Sequence, residues 1–189
     1  RFGASVPFLR PEAISKDGST DREFFRHYFD FLLESGASLP ELVLHLRPTT
    51  PLRDMEVVNR ALRTMLENPE ATSLRSMSAT RHTPYKMFSM REGYAEPLVT
   101  LDGVAESANL PRQDLPAAYI PNGYIDIVRP KLLLETDRLH GERMILFETD
   151  SIPDIDSYDD LERAGARAGE ARFRRLLEYL DRKEADAAS

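Results

Sequence analysis

The stretch of sequence at residues 41–79 reads ELVLHLRPTTPLRDMEVVNRALRTMLENPEATSLRSMSA. Its first part, Glu41 to Leu46, is short and apolar and is followed by Pro48, which predicts a buried strand that ends in a loop. Apolar residues then recur at helical spacing from about Asp54 to Asn68, and a strand is predicted near Leu74 to Ala79. Strand, helix and strand in this order indicate a mostly parallel sheet with helices on both faces, so the expected fold class is α/β.

A helix is predicted on the N-terminal side of this unit, between Ser19 and Gly36. Thr20 is a good N-cap residue, and Glu23 stands three positions later, which is the spacing of a capping box. Gly36 is a typical stop signal at the other end. We expect the buried face of this helix to carry four residues at helical spacing, namely Phe24, Tyr28, Phe31 and Leu32.

Two strands and a long helix are predicted in the C-terminal third of the chain. The strands are expected at Tyr124 to Val128 and at Arg143 to Phe147. Ser157 is a good N-cap for a final helix that is expected to continue past Leu180. The Arg- and Glu-rich surface of this helix fits a solvated face, and a partner site is the alternative.

The pattern loosens between Thr80 and Pro121, where several prolines interrupt short strand-like segments. A turn signal stands at Arg91 to Gly93. Such a stretch predicts an extended arm or a small antiparallel insert rather than part of the main sheet.

The composition predicts one globular domain that spans residues 1–189, because 41% of the chain is hydrophobic. The formal net charge of -7 gives no general attraction to a polyanion, and the sequence has no apolar run that could span a membrane. We therefore expect no nucleic acid and no membrane among the partners. With 0 Cys the chain has neither disulfides nor thiolate metal sites, which favours a cytoplasmic protein.

A pair of carboxylates lies between a predicted strand and a predicted helix, in the segment from Asp150 to Ser157. One residue separates Asp154 from Asp156, so on a loop both carboxylates can face one hard cation. Mg²⁺ commonly takes one or two protein carboxylates together with phosphate oxygens. The pattern also fits a structural role, in which Asp156 helps to cap the helix and Asp154 is a solvated loop residue.

Three other segments carry polar residues suited to ligand binding. Arg112 has a guanidinium group that can hold a carboxylate in two hydrogen bonds. The pair Asn122 and Gly123 fits a tight turn before a strand. The loop from Arg47 to Arg53 follows a predicted strand, and ligands bind at that edge of open α/β sheets, although a proline-stiffened structural loop fits equally well.

The 4 His residues have no metal-ligand spacing. His45 lies inside a predicted buried strand, so we expect a hydrogen-bonded core residue there rather than a catalytic base. The sequence has no P-loop, no nucleophile elbow and no Rossmann glycine pattern, which excludes several common enzyme classes.

Taken in order, the motifs of this chain resemble those of the acylneuraminate cytidylyltransferases, the CMP-sialic acid synthetase family that also includes enzymes for legionaminic and pseudaminic acids. The resemblance covers nearly the whole chain. The segments that carry it are Phe2 to Ala4, Phe8 to Pro11, Arg47 to Arg53, His82 to Lys86, Arg112 to Pro116, Pro121 to Gly123, and Asp154 to Ser157 with Asp160 and Leu161.

The resemblance implies a sheet like that of nucleotide-diphospho-sugar transferases and a Mg²⁺-dependent reaction in which CTP and an acidic nonulosonic sugar give the CMP-sugar and pyrophosphate. It implies that Asp154 and Asp156 hold Mg²⁺ and that Arg112 contacts the acidic sugar. It also implies a homodimer in which residues 80–121 form an arm that reaches the neighbouring subunit. The remaining implied substrate-binding residues are Arg10, Asp17 and Ser19 near the cytosine, Arg47 beside the sugar, Lys86 in the arm, and Asn122.

The chain departs from the family pattern around the implied sugar pocket. Many members have Gln where this chain has Arg47, and the strand after Gly123 carries Tyr124 and Asp126 where a small residue and a tyrosine are usual. Ile120 stands where a basic residue is common. These changes predict an altered sugar specificity.

The family also opens with a strand and a basic loop that cradles the triphosphate, and this sequence has no such segment. We therefore expect an N-terminally incomplete cytidylyltransferase domain that is inactive as given. A synthetase for another base or another acidic sugar is an alternative of the same class. A noncatalytic dimerisation or regulatory module is the alternative of a different class.

Overall fold

The computed structural model describes residues 4–150 and 154–188. The strands in these residues are β1 (Val43–His45), β2 (Ser73–Thr80), β3 (Phe88–Arg91), β4 (Tyr94–Pro97), β5 (Ala118–Val128) and β6 (Met144–Glu148). The helices are α1 (Asp21–Glu34), α2 (Met55–Glu67), α3 (Pro130–Thr136), α4 (Tyr158–Ala168) and α5 (Arg174–Ala188). Elements of both kinds alternate along the chain, which confirms the α/β class.

The main sheet has four strands in the order β1-β5-β2-β6. Strand β6 is parallel to β2, whereas β5 is antiparallel to both of its neighbours. The prediction of a mostly parallel sheet is therefore wrong, and the sheet is mixed. The reason lies in the connection from β2 to β5, which pairs Thr80 with Ala118 and so makes the two strands the arms of one long hairpin.

Residues 81–117 connect these two strands and contain the predicted antiparallel insert. Strands β3 and β4 pair only with each other, and Glu92 and Gly93 join them with φ angles of 52° and 86°. All the residues of both strands are exposed. The insert is thus a hairpin that projects from the end of a larger hairpin, and its contact with a second subunit stays a prediction.

The two faces of the main sheet pack against different helices. On one face, α2, α4 and the turn at Phe173 cover a core that includes Leu74, Ile125 and Ile127. On the other face, α1 and α3 cover a smaller core of Phe25, Phe29, Val128 and Leu133. The described part of the chain has no helix that is long and apolar enough to cross a membrane.

The structure confirms the predicted N-cap of α1 but not its predicted buried face. The Thr20 hydroxyl accepts a hydrogen bond from the Glu23 backbone, and the Glu23 carboxylate accepts one from the Thr20 backbone, so the capping box is formed. Phe25 and Phe29 are the buried residues of α1, whereas the four residues predicted to be buried are only half-buried. One physical reason is that Phe8 packs on this second side of α1, with its ring centroid 5.0 Å from that of Phe31.

The C-terminal helix begins as predicted, but it is two helices rather than one. The Ser157 hydroxyl accepts a hydrogen bond from the backbone of Asp160, which confirms the N-cap of α4. Helix α4 ends at Ala168, and α5 starts only after a short turn that contains Phe173. Phe173 is buried in the α2-side core, so the turn carries this side chain into the core where a continuous helix was expected.

Candidate functional site

The loop after β1 and the loop after β6 meet at the same edge of the sheet. The Ile155 backbone N–H donates a hydrogen bond of 2.8 Å to the carbonyl of Thr49. The buried Thr50 hydroxyl donates a longer one, of 3.5 Å, to the Asp154 carboxylate. Strands β1 and β6 point the same way, so this edge carries both of their carboxyl ends, as expected for a ligand site in an open α/β sheet.

The structure places Asp154 and Asp156, the two predicted metal ligands, in this loop, and both are exposed. Burial lowers the pKa of Arg53, and the negative charge of Asp154 is close enough to oppose that shift. The Ser157 hydroxyl donates a 2.6 Å hydrogen bond to the Asp160 carboxylate, which lowers the pKa of Asp160, and it also accepts the capping hydrogen bond of α4. The side chain of Asp156 therefore does not provide the cap.

The described residues contain no cluster of three or more His, Asp or Glu that could hold a metal ion alone. A Mg²⁺ ion that is shared with a nucleotide needs only one or two protein carboxylates, because phosphate oxygens and waters complete its coordination. Asp154 and Asp156 fit that simpler requirement by residue type and exposure. Residues 151–153 of the predicted motif, like Phe2 and Gly3, lie outside the described residues.

Asn122 ties three strands together instead of forming a turn. Its amide nitrogen donates to the hydroxyls of Ser78 and Thr149, at 2.6 and 2.7 Å, and its amide oxygen accepts from the Tyr124 backbone at 3.2 Å. The prediction of a turn before the strand is wrong, because Asn122 and Gly123 lie inside β5 where its register with β2 shifts. Asn122 therefore holds the end of β6 in place, and both protons of its amide nitrogen already have partners.

Gly123 allows the loop after β1 to approach β5 closely. Its φ is +67°, and an added Cβ would lie 3.2 Å from Cδ of Arg47 and 3.3 Å from the Thr50 hydroxyl oxygen. A side chain here would combine a left-handed backbone with a tight contact.

We expect Gly123→Ala to lower the free energy of unfolding by about 1–2 kcal/mol, because alanine disfavours the left-handed conformation and crowds Arg47. Chemical denaturation measures this change. The control is Gly103→Ala, which also has a positive φ, of +74°, but open space at its Cβ. If Gly123→Ala and Gly103→Ala lowered the free energy of unfolding equally, the close contact of residue 123 with Arg47 would have no effect on stability.

Arg53 holds the loop after β1 in place through hydrogen bonds to three backbone carbonyls. Its guanidinium donates to the carbonyls of Tyr124 at 2.6 Å, Arg47 at 2.7 Å and Gly123 at 3.3 Å. The Tyr124 hydroxyl in turn accepts a 2.5 Å hydrogen bond from the backbone of Asp54 at the start of α2. Sequence reasoning missed this role of Arg53, although its place at the end of the Arg47 to Arg53 motif was a signal.

A charged row crosses the sheet under the N-terminus of α1. His45, Asp126 and Arg75 are register partners on β1, β5 and β2, so their side chains lie on one face. Asp126 is 4% exposed, and its two oxygens contact Arg47 Nη2 at 3.4 Å and Arg75 Nε at 3.5 Å. Arg47 Nη2 also donates to Asp21 of α1 at 2.5 Å. The predicted sugar-binding Arg47 is therefore already paired with two carboxylates.

Burial lowers the pKa of the His45 and His140 imidazoles below the ordinary value. Asp21 partly opposes the shift at His45, and Asp126 partly opposes it at His140. The Nδ1 atom of each ring has no hydrogen-bond partner among the described residues. His45 also contacts the Phe25 ring edge-on at 5.1 Å. It is only half-buried and Nδ1 lacks the expected hydrogen bond, so the prediction of a hydrogen-bonded core residue is wrong.

The lowered pKa values of His45 and His140 predict that the protein loses stability at acid pH. The unfolded state takes up protons near an ordinary pKa of 6.5, whereas the folded state resists protonation. The stabilisation is therefore complete above pH 6.5 and is lost as the pH falls below it. We expect His45→Gln to flatten the fall of melting temperature between pH 7 and pH 5. His82→Gln, in the exposed arm, is the control, and equal slopes in the wild type and His45→Gln would contradict the prediction.

The three predicted cytosine-side residues lie before and at the start of α1. The Arg10 guanidinium stacks over the Phe24 ring at 4.7 Å. The Ser19 hydroxyl accepts a 3.0 Å hydrogen bond from the Lys16 backbone, and Asp17 is exposed in the same loop. This loop leads into Asp21, which contacts Arg47, so it adjoins the charged row.

The two predicted arm residues both lie in the segment that connects β2 to β5. Lys86 Nζ donates a 3.0 Å hydrogen bond to the carbonyl of Ala108 within the insert. Arg112 is exposed on a single turn, Arg112–Asp114. Neither side chain forms a hydrogen bond or an ion pair with the converged loops in residues 4–150 and 154–188.

A small cavity of about 210 Å³ opens beside the end of β6. Arg172 lines this cavity, and its guanidinium forms an ion pair with the Asp150 carboxylate at 3.3 Å. Its lining combines cations, carboxylates and hydroxyls, namely Val57, Arg60, Tyr124, Glu148, Thr149, Asp150 and Arg172. The start of the loop after β6 thus borders a polar cavity that is large enough for a few water molecules or a small anion.

No family model matches this chain in a comparison with known protein families, and a search of the curated proteins finds no significant match either. The resemblance to the cytidylyltransferases therefore stays a prediction that rests on the order of the motifs. The structure adds the positions of those motifs in space. It brings the Arg47 to Arg53, Asn122 to Gly123 and Asp154 to Asp156 segments together, and it leaves Arg112 and Lys86 in the arm.

Proposed function

We propose that this chain belongs to a nucleotidyltransferase that joins CMP from CTP to an acidic nonulosonic sugar and releases pyrophosphate. The observation that carries the proposal is the convergence of the Arg47 to Arg53 and Asp154 to Asp156 loops at the carboxyl ends of β1 and β6. Motifs more than 100 residues apart in the sequence meet there, as a shared ligand site requires.

The reaction needs alignment and charge neutralisation more than covalent chemistry. The sugar hydroxyl attacks the α-phosphorus of CTP, and the bond to the leaving pyrophosphate breaks as the new P–O bond forms. Asp154 and Asp156 would hold Mg²⁺, which would supply charge neutralisation on the phosphates. The Thr50 hydroxyl and the loop held by Arg53 position Asp154 for this task.

The remaining roles in the proposal follow the motif order. Arg10 contacts the cytosine edge, with Asp17 and Ser19 in the neighbouring loop. Arg112 contacts the acidic sugar, and Lys86 enters the site of the other subunit of a dimer. Neither arm residue forms a polar contact with the loops within the described residues of one chain, which is compatible with a site that two subunits complete.

We expect the full-length protein to be a homodimer through residues 80–121. The five most exposed large apolar residues of the arm support this, because the described part of the chain leaves them uncovered: Phe88, Met90, Tyr94, Leu98 and Ile120. Replacing Phe88 and Met90 by Ser should shift the mass measured by light scattering towards the monomer. Tyr158→Ser, an exposed aromatic outside the arm, is the control. A wild-type monomer at high concentration would contradict the prediction.

The test of the function is a turnover assay with the full-length protein, Mg²⁺ and pairs of one nucleoside triphosphate and one acidic sugar. We expect a CMP-sugar product, identified by mass, and equimolar pyrophosphate with CTP and one of sialic, legionaminic or pseudaminic acid. Assays with UTP, ATP and GTP separate this reaction from that of a synthetase for another base. Absence of product with every pair would contradict the proposal.

The second candidate is a noncatalytic dimerisation or regulatory module. Two observations favour it: the described residues have no metal cluster that is complete by itself, and both donor protons of Asn122 are used in the fold. Such a module would dimerise through the arm but would bind CTP no better in Mg²⁺ than in EDTA. Isothermal titration with CTP in the two buffers separates the candidates.

A further inference from the structure

We infer that Arg47 and Arg75, anchored on the buried Asp126, form a binding site for the carboxylate of the acidic sugar. The inference rests on the proposed function and extends it by naming the residues that receive this group. Asp126 is 4% exposed, and each of its oxygens faces a different guanidinium. It is therefore the fixed counter-ion of two arginines that come from different strands.

Each guanidinium keeps unused donors. Arg47 makes its hydrogen bonds to side chains through Nη2 alone, and Arg75 contacts Asp126 through Nε alone. Their other side-chain nitrogens form no hydrogen bond within the described residues. The two side chains are 28% and 29% exposed, so solvent or a ligand can reach them. A carboxylate is the acceptor that matches the planar fork of an arginine.

The charge balance of the row points to the same ligand. Two guanidinium groups face one buried carboxylate, so a second carboxylate is needed to balance the charge of the row. Asp21 supplies the missing negative charge through its contact of 2.5 Å with Arg47, and its side chain is 40% exposed. The carboxylate of a ligand can displace the exposed Asp21 carboxylate from Arg47, whereas the buried Asp126 carboxylate stays in place. Asp21 thus occupies the position in which the sugar carboxylate would bind.

The row also gives a physical account of two departures from the family pattern. Arg47 and Asp126 were noted separately in the sequence, yet they contact each other across β1 and β5. A cation that replaces an amide in a half-buried position needs a counter-ion, and Asp126 provides one. The pair therefore alters the sugar pocket as one unit.

Binding of three probes to the full-length protein, without nucleotide, tests the inference. The probes are N-acetylneuraminate, its neutral methyl ester and acetate. We expect the acid to bind about 10- to 100-fold more tightly than the ester, since charge-assisted hydrogen bonds are lost in the ester. The acid should also shift the arginine side-chain NMR signals of Arg47 and Arg75. Equal affinities for acid and ester would overturn the inference, and equal affinities for acid and acetate would overturn the assignment to a sugar.

Four variants complete the test. Arg75→Gln should remove the preference for the acid, and so should Arg47→Gln combined with Asp21→Asn, which removes one exposed ion pair as a whole and leaves Asp126 paired with Arg75. Asp21→Asn should strengthen binding of the acid several-fold, because the internal competitor is gone. Arg26→Gln is the control, since it breaks an exposed ion pair with Asp30 on α1. An unchanged preference in Arg75→Gln, or weaker binding in Asp21→Asn, would overturn the inference.

This experiment separates the failure of the site from the failure of the proposed function. Selective binding of the acid without any turnover would leave the carboxylate site in place and overturn the reaction. Turnover with an unchanged KM for the sugar in Arg75→Gln would leave the reaction in place and overturn the site.

Discussion

Replacing Asp154 by Asn is expected to lower turnover of the full-length protein by roughly 10² to 10³-fold, the usual cost of losing one preorganised electrostatic contact. Asn keeps the size of the side chain and can still accept the hydrogen bond from the Thr50 hydroxyl, so the fold should survive. It removes one negative charge from the proposed Mg²⁺ site. Asp156→Asn should have an effect in the same direction, because the carboxylate of Asp156 is not used in capping α4.

The measurement is turnover against Mg²⁺ concentration for both variants, with melting temperature as the test of folding. Excess Mg²⁺ should restore only part of the activity, because the ion would bind in a weaker and less fixed position. Asp159→Asn is the matched control, since Asp159 is an exposed carboxylate in the first turn of α4 outside the proposed site. Near-normal turnover in both variants would rule out the metal assignment.

The features that sequence alone predicted well depend on near neighbours in the chain. The capping box of Thr20 and Glu23 and the N-cap of Ser157 are set by residues three positions apart. The helix at Met55–Glu67 follows from the spacing of its own apolar residues. These elements therefore appear where the pattern places them.

The features that sequence reasoning missed depend on pairing between distant segments. The direction of β5 follows from the hairpin that joins Thr80 to Ala118 across the whole insert, and no local pattern encodes that pairing. For the same reason Asn122 looked like a turn residue, because its partners are distant in the sequence: Ser78 lies on β2 and Thr149 directly follows β6. The buried Phe173 interrupts the C-terminal helix through a contact with the core, which its own sequence neighbourhood does not reveal.

The sequence indicated individual segments of the candidate site but not the contacts between them. The Arg47 to Arg53 loop and Asp154 were singled out by their residue types, and the structure brings them together. The pairing of Arg47 with Asp126 required the register of β1 against β5. Arg112 and Lys86 stay predictions, because their proposed place lies in a second subunit.

Replacing Asp126 by Ala is expected to lower the free energy of unfolding by about 2–3 kcal/mol. Removing one partner of a buried ion pair typically costs about 3–5 kcal/mol, and the partial exposure of Arg47 and Arg75 lets water offset some of that cost. The loss arises because Arg47 would then keep only Asp21 as a counter-ion, and Arg75 would have no carboxylate partner among the described residues. Chemical denaturation at pH 7.5, where His45 and His140 are neutral, measures the change.

The control for this prediction is Asp30→Ala, which removes an exposed ion pair with Arg26 and should cost less than about 1 kcal/mol. Arg47→Gln combined with Asp126→Asn should be more stable than the sum of the two single changes predicts, because the Arg47–Asp126 contact that each single change removes can be lost only once. Equal costs for Asp126→Ala and Asp30→Ala would mean that water already solvates the row. The buried Asp126 would then be no anchor for Arg47 and Arg75, and the carboxylate site would lose its structural basis.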